Sequence, residues 1–117
     1  MDNKEFSKQL QVRTRTFAIS IIRLSSSLPN SVEGKIVRNQ IPKAGSSIGA
    51  NYREASRARS RADFKNKIKI CESESDETLY WLEIIRDMGW SQINNAYKEA
   101  YEFLSIFASI GRSLSSD

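Results

Sequence analysis

Small and apolar side chains recur every three or four positions through four long stretches of this chain, and only five Gly and two Pro interrupt its 117 residues. That spacing lines one face of a helix and cannot serve a strand, whose period is two. In the first stretch Leu10, Thr14, Phe17, Ile21, Leu24 and Leu28 make the stripe, predicting a helix over about 3–27. Pro29 ends it, because the residue before a proline is pushed out of helical geometry. Asn30 then stands where it can cap a second helix over about 31–59, with Glu33 completing a capping box. Its stripe is Val37, Ile41, Ala44, Ile48, Asn51, Ala55 and Ala58. Glycine and alanine occupy or flank that stripe, which lets a neighbouring helix approach closely. Pro42 lies inside, where the missing N–H costs about 3 kcal/mol and predicts a kink or a broken first turn.

Ser60 and Asp63 have the spacing of another capping box, opening a third helix over about 61–88. Phe64, Ile68, Cys71, Ser75, Thr78, Leu82 and Ile85 form its stripe with Leu79 beside it, and Gly89 supplies the left-handed residue that closes helices. A fourth helix over about 91–113 has Ser91 as its expected N-cap, then Ile93, Tyr97, Ala100, Leu104, Phe107, Gly111 and Leu114, widened by Ala96, Phe103 and Ile110. The last residues, SLSSD, should fray. Four long helices joined by three short connections imply an all-α fold, an antiparallel up-and-down four-helix bundle, with residues 1–117 forming a single domain. Val12, Ile19, Ile22, Trp81, Ile84 and Ile106 fall off these stripes. A second apolar stripe calls for a second surface to pack against, which self-association supplies, the alternative being that these residues merely widen a monomer's core.

The chemistry open to the chain is narrow. It has no histidine, which removes the commonest general base and the usual partner of a nucleophilic Ser or Cys. A lone cysteine, Cys71, excludes an intrachain disulfide and a multi-thiolate metal site, and as a stripe residue it reads as a core thiol. No signal peptide or membrane span is expected, since the most apolar early run is cut by Ser20 and Arg23. The expectation is a cytoplasmic protein that is not an enzyme and needs no metal or cofactor.

Charge is unevenly spread. Residues 35–69 carry ten basic and two acidic groups, a net of +8, and residues 70–102 carry two and eight, a net of −6. Arg53, Arg57, Arg59, Arg61, Lys65 and Lys69 straddle the junction of the second and third helices and are the candidate nucleic-acid-binding set. The acidic stretch Glu72, Glu74, Asp76, Glu77 and Glu83 could instead neutralise them, along its own helix or from a neighbouring subunit. Asn51, Glu54, Lys67 and Glu74 form the candidate internal polar network, aligning helices two and three.

The stretch from Gln40 to Ile85 resembles the signature of the bacterial four-helix-bundle family named after intervening sequences of 23S ribosomal RNA genes. The residues that carry the resemblance are SIGANYREA at 47–55, Asp63 with Phe64, Lys67, and ETLYWLE at 77–83. It implies an up-and-down bundle with no established biochemical activity, and in some members a ring of five subunits. A structurally similar relative, the accessory protein of diversity-generating retroelements, engages nucleic acid, which is analogy at the level of fold.

Together these readings favour a homo-oligomeric bundle, a pentamer by resemblance, that binds RNA or DNA through the basic junction and could serve as an adaptor for an unidentified protein partner. The alternative is a protein-interaction scaffold without nucleic acid. A carboxylate enzyme built on Glu54 and Glu74 is a third, weaker reading.

Overall fold

The computed structural model describes residues 3–115, which form four helices and no strand. These are α1 (Asn3–Ser26), α2 (Val32–Ala55), α3 (Arg61–Asp87) and α4 (Asn94–Ser115). Successive helices pack side by side and run in opposite directions, so the chain is an up-and-down bundle 47 Å long and 21–23 Å across. The α1–α2, α2–α3 and α3–α4 interfaces are extensive, whereas α1 meets α4 at few places.

Hydrophobic periodicity accounts for most of the core. Leu10, Phe17, Ile21 and Leu28 of the first stripe are buried, with Val37, Ile41, Ala44 and Ile48 from α2, Ile68, Cys71, Leu82 and Ile85 from α3, and Ala100, Phe103 and Phe107 from α4. Thr14, Ser75 and Thr78 are also fully buried, and each hydroxyl donates to a carbonyl of its own helix, at Leu10, Cys71 and Glu74. Their polarity is thereby satisfied without a partner on another helix.

Several local expectations need correction. The N-cap of α2 is Ser31 rather than Asn30, its hydroxyl accepting from the Gly34 N–H. Helix α2 stops at Ala55, before Ala58 and Arg59, because Arg57 and Ala58 take the carbonyls of Glu54 and Ala55 in tight turns. It passes unbroken through Pro42. Only the bond to the Arg38 carbonyl is forgone there, and Ile41, Ala44 and Gly45, all buried, hold the flanking turns against their neighbours. Near the end of α2 the buried position belongs to Tyr52, stacked at a tilt on Phe107, and Asn51 is only half-buried. Ser91 does not cap α4. The helix starts later than expected, at Asn94, with the Tyr97 N–H donating to the carbonyl of a buried Ile93. At its other end α4 continues through Ser115, so residues 113–115 of the expected frayed tail are helical, and the last two lie outside the described residues.

Two caps form as their residues suggest. Ser60 accepts from the Asp63 N–H, while the Asp63 carboxylate reaches back to the Arg59 N–H. At the end of α3, Gly89 has φ of 71°, the Trp90 N–H donates to Ile85 and the Gly89 N–H to Arg86, the two bonds of a Schellman motif.

The small residues of α2 do bring α1 close. A Cβ added at Gly45 would lie 2.8 Å from Ile21 Cγ2, and one at Gly49 would lie 3.0 Å from Thr14 Oγ1. Replacing helical Gly by Ala normally gains up to about 1 kcal/mol. At Gly45 the branched Ile21 cannot swing away, so Gly45→Ala is expected to lose about 1–2 kcal/mol through overpacking. At Gly111 the nearest foreign atom to such a Cβ is 3.9 Å away, and Gly111→Ala is expected to gain up to about 1 kcal/mol. Urea denaturation of the two variants checks the opposite signs.

Of the residues off the stripes, Trp81, Ile84 and Ile106 are drawn against the main core cluster and simply widen it. Val12, Ile19 and Ile22 on α1 remain about half exposed, at 48%, 47% and 51%.

Candidate nucleic-acid interface

In an up-and-down bundle the start of α1, the α2–α3 loop and the end of α4 meet at one end. Hydrogen bonds tie that end together: Ser7 to Ser56 at 3.0 Å, and the Arg61 guanidinium to the Leu114 carbonyl at 3.2 Å. Arg57 and Arg59 lie on the loop, Arg53 on the last turn of α2, and Arg61 and Lys65 on the first turns of α3. Lys69 stands a further turn along. It shares with Lys65 and Arg112 a groove of about 450 Å³ between α3 and α4, whose wall also includes Glu72. Arg53 faces the opposite flank, where it shares with Arg15 a smaller groove of about 240 Å³, floored by Ala18, Ser46, Gly49 and Ala50. The six candidates therefore do not form one compact cluster. They wrap the end of the rod from the α1–α2 side, over the loop, to the α3–α4 side.

Tertiary structure adds cations that spacing along the chain could not link to this set. Lys4 and Lys8, both exposed on the first turns of α1, and Arg112 on the last turn of α4 belong to the same end. Among the described residues, Arg53, Arg57, Arg59, Lys65, Lys69 and Arg112 form no salt bridge. None of Glu72, Glu74, Asp76, Glu77 and Glu83 pairs with them within the chain. Along α3 itself, one of the two ways of balancing this charge, no direct ion pair between these groups forms among the described residues.

Lys67 stands apart from the free cations. Its ammonium lies 2.8 Å from the Glu54 carboxylate, linking α2 to α3, and this bond raises its pKa. The pair sits at the surface, with Glu54 more than half exposed, so by itself it contributes little to stability. Asn51 does not join it: its amide donates to the Ser47 carbonyl of its own helix at 2.8 Å. Glu74 is absent too. It lies seven residues beyond Lys67 on the same helix, about 10 Å along the axis. The four residues expected to form an internal network therefore resolve into one surface ion pair, one amide bonded within its helix, and one separate carboxylate.

The pKa of Glu74 is raised, first by desolvation and then by the neighbouring charge of Glu77. A carboxyl whose folded pKa lies above its unfolded value favours folding most at low pH and loses that contribution as pH rises through the folded pKa. Glu74→Gln is therefore expected to raise the melting temperature at pH 7, with the gain vanishing near pH 4. Thermal melts at the two pH values test this.

Cys71 is fully buried, its thiol 3.6 Å from the Ile48 carbonyl, and burial pushes its pKa up to about 12. A protonated, enclosed thiol is a poor nucleophile. Among the described residues no group of His, Cys, Asp and Glu side chains is arranged to hold a metal ion, and no helix is long and apolar enough to cross a membrane.

A polar cluster that sequence spacing missed lies where α1 approaches α4. Arg13 forks onto Glu99 at 2.7 and 2.8 Å and reaches Glu102 at 2.8 Å, while its guanidinium covers the Phe103 ring at 5.2 Å from the centroid. Its partners are 86 and 89 residues away, beyond any helical periodicity.

Against this geometry the comparisons with known proteins are direct. Residues 8–112 match the family model described as the 23S rRNA-intervening sequence protein. The chain belongs to that family. Among solved structures, it is similar to a protein of unknown function from the S23 ribosomal protein family of Bacteroides thetaiotaomicron. The two are 33% identical and superpose with a TM-score of 0.82, over 91% of this chain and 97% of that one. No curated protein matches. The family match thus extends over all four helices, α4 included.

Proposed function

We propose that this member of the 23S rRNA-intervening sequence protein family is a non-enzymatic, homo-oligomeric bundle that binds nucleic acid through its basic end. The observation that carries the proposal is the belt formed by Arg53, Arg57, Arg59, Lys65, Lys69 and Arg112, none of which forms a salt bridge among the described residues. Guanidinium and ammonium groups on a convex end meet phosphates of many sequences equally well, whereas reading bases requires an element inserted into a groove. Binding is therefore to the backbone of RNA or DNA, with weak sequence preference. An oligomer presents the belt several times, and its avidity exceeds that of one copy.

The absence of histidine, the enclosed Cys71 thiol, and the engagement of Glu54 by Lys67 rather than with Glu74 all support a binding role over catalysis. Fluorescence anisotropy with labelled single-stranded and duplex RNA and DNA, titrated from low to moderate salt, tests the proposal. The expected result is an affinity whose logarithm falls linearly with the logarithm of salt concentration. No binding to any of the four at low salt overturns it.

A second reading, an interaction scaffold with no nucleic-acid partner, is favoured by the exposed stripe Val12, Ile19 and Ile22. In it the opposite charges of residues 35–69 and 70–102 mate between subunits, and high salt would loosen the oligomer itself.

A further inference from the structure

We infer that the outward face of α1 docks on the outward face of α3 of a second copy, in parallel and head to tail. This rests on the homo-oligomer reading above and names the two surfaces that would meet.

Along residues 12–23 the exposed charges of α1 are basic beside an apolar stripe, and along residues 73–80 those of α3 are acidic beside one exposed ring, Tyr80. On α1, Val12 and Ile19 point away from the core, flanked by exposed Arg15 and Arg23, with no acidic residue between positions 6 and 32. On α3, the exposed positions Asp76, Glu77 and Tyr80 follow one another at helical spacing, and Tyr80 is 57% exposed. Neither Arg15, Arg23 nor Asp76 makes a salt bridge among the described residues. Glu77 accepts only a long hydrogen bond, 3.4 Å, from the Trp81 indole.

The heights of the two faces match. Gly49 abuts Thr14, and the neighbouring Ile48 carbonyl receives the Cys71 thiol, so Thr14 and Cys71 lie at nearly one level of the bundle. Helices α1 and α3 run in the same direction in an up-and-down bundle, each rising 1.5 Å per residue. Counting up both from that level places Arg15 beside position 72, Ile19 beside Asp76, and Arg23 beside Tyr80. A second copy rotated about an axis parallel to the bundle keeps those levels. It sets the two arginines within one helical turn of the two carboxylates, and Ile19 within one turn of Tyr80.

The geometry also discriminates against a symmetric α1-to-α1 contact, which would face a basic surface with itself. Because α1 and α3 are diagonal in the bundle, every copy offers both faces at once. The contact is heterologous, and it propagates until the rotation between copies closes a ring.

The test is sedimentation velocity on four full-length proteins at the same concentration, each checked for folding by circular dichroism. Wild type is expected to sediment as an oligomer. Arg15→Glu with Arg23→Glu, and separately Asp76→Arg with Glu77→Arg, are expected to sediment as monomers. The protein carrying all four changes, acidic on α1 and basic on α3, is expected to recover the oligomer. If both double variants remain oligomeric at wild-type size, the interface is wrong while the homo-oligomer stands. If the four-fold variant stays monomeric, charge pairing between these faces is wrong. A monomeric wild type overturns the interface and the homo-oligomer together.

Discussion

Phe103→Ala is expected to lower the stability of the bundle by about 3–5 kcal/mol, the range for truncating a fully buried phenylalanine. Phe103 has no exposed surface. Its ring meets Phe17 edge-on at a centroid distance of 5.3 Å and 82° between planes, and lies beneath the Arg13 guanidinium. These interactions fall where the bundle is weakest. Helix α1 is packed along α2 but touches α4 at few places, and a groove of about 590 Å³ opens between them, lined by Phe17, Leu24, Ile93 and Ala96 among others. Truncation therefore removes apolar burial and leaves a cavity that the separated helices cannot collapse to fill. It also takes the aromatic surface from under Arg13, whose fork onto Glu99 and Glu102 then joins α1 to α4 largely alone. Urea denaturation should show a lower midpoint with little change in slope. A loss below about 1 kcal/mol would mean that the α1–α4 seam adapts to the missing ring.

Changing Arg53, Arg57 and Arg59 together to glutamate is expected to weaken nucleic-acid binding by about a hundredfold or more near 0.1 M salt. All three are exposed and form no salt bridge among the described residues, so the helical spectrum and melting temperature should change little. Every arginine that no longer meets a phosphate should reduce the salt slope by about one. The control lies at the far end of the rod, where Arg86 and Lys98 stand near the α3–α4 turn. Reversing those two should alter affinity by less than about threefold. Equal losses from both ends would show that net charge, rather than the basic end, governs binding.

Much of the architecture was readable from spacing alone. Helix formation, the Ser60 cap and the Gly89 ending depend on residues within one or two turns of each other, and their chemistry operates wherever the chain lies. The buried stripes were readable for the same reason, because a period of three and four selects one face whatever packs against it. The misplacements are local competitions between adequate candidates. Ser31 and Asn30 can both cap α2, and Tyr52 and Asn51 sit side by side where the inward face drifts. The larger aromatic ring takes the interior, since its burial gains more than that of an amide, which must keep a hydrogen bond.

The candidate site was half readable. The basic junction is contiguous in sequence, so its composition announced it. Its extension through Lys4, Lys8 and Arg112 was not, because only the alternation of helix direction carries the two termini to that end.

What the amino-acid sequence by itself determined is therefore the four helices, the faces they bury, and the sign of charge on each third of the chain, all properties of neighbours within a few turns. Tertiary structure alone decided three things: that Arg13 finds Glu99 and Glu102, that Trp81, Ile84 and Ile106 are absorbed into the core while Val12, Ile19 and Ile22 are not, and that α1 stands off from α4. Each depends on the distance between helices remote in sequence, which is set by how all four interfaces pack at once and is encoded in no single stretch.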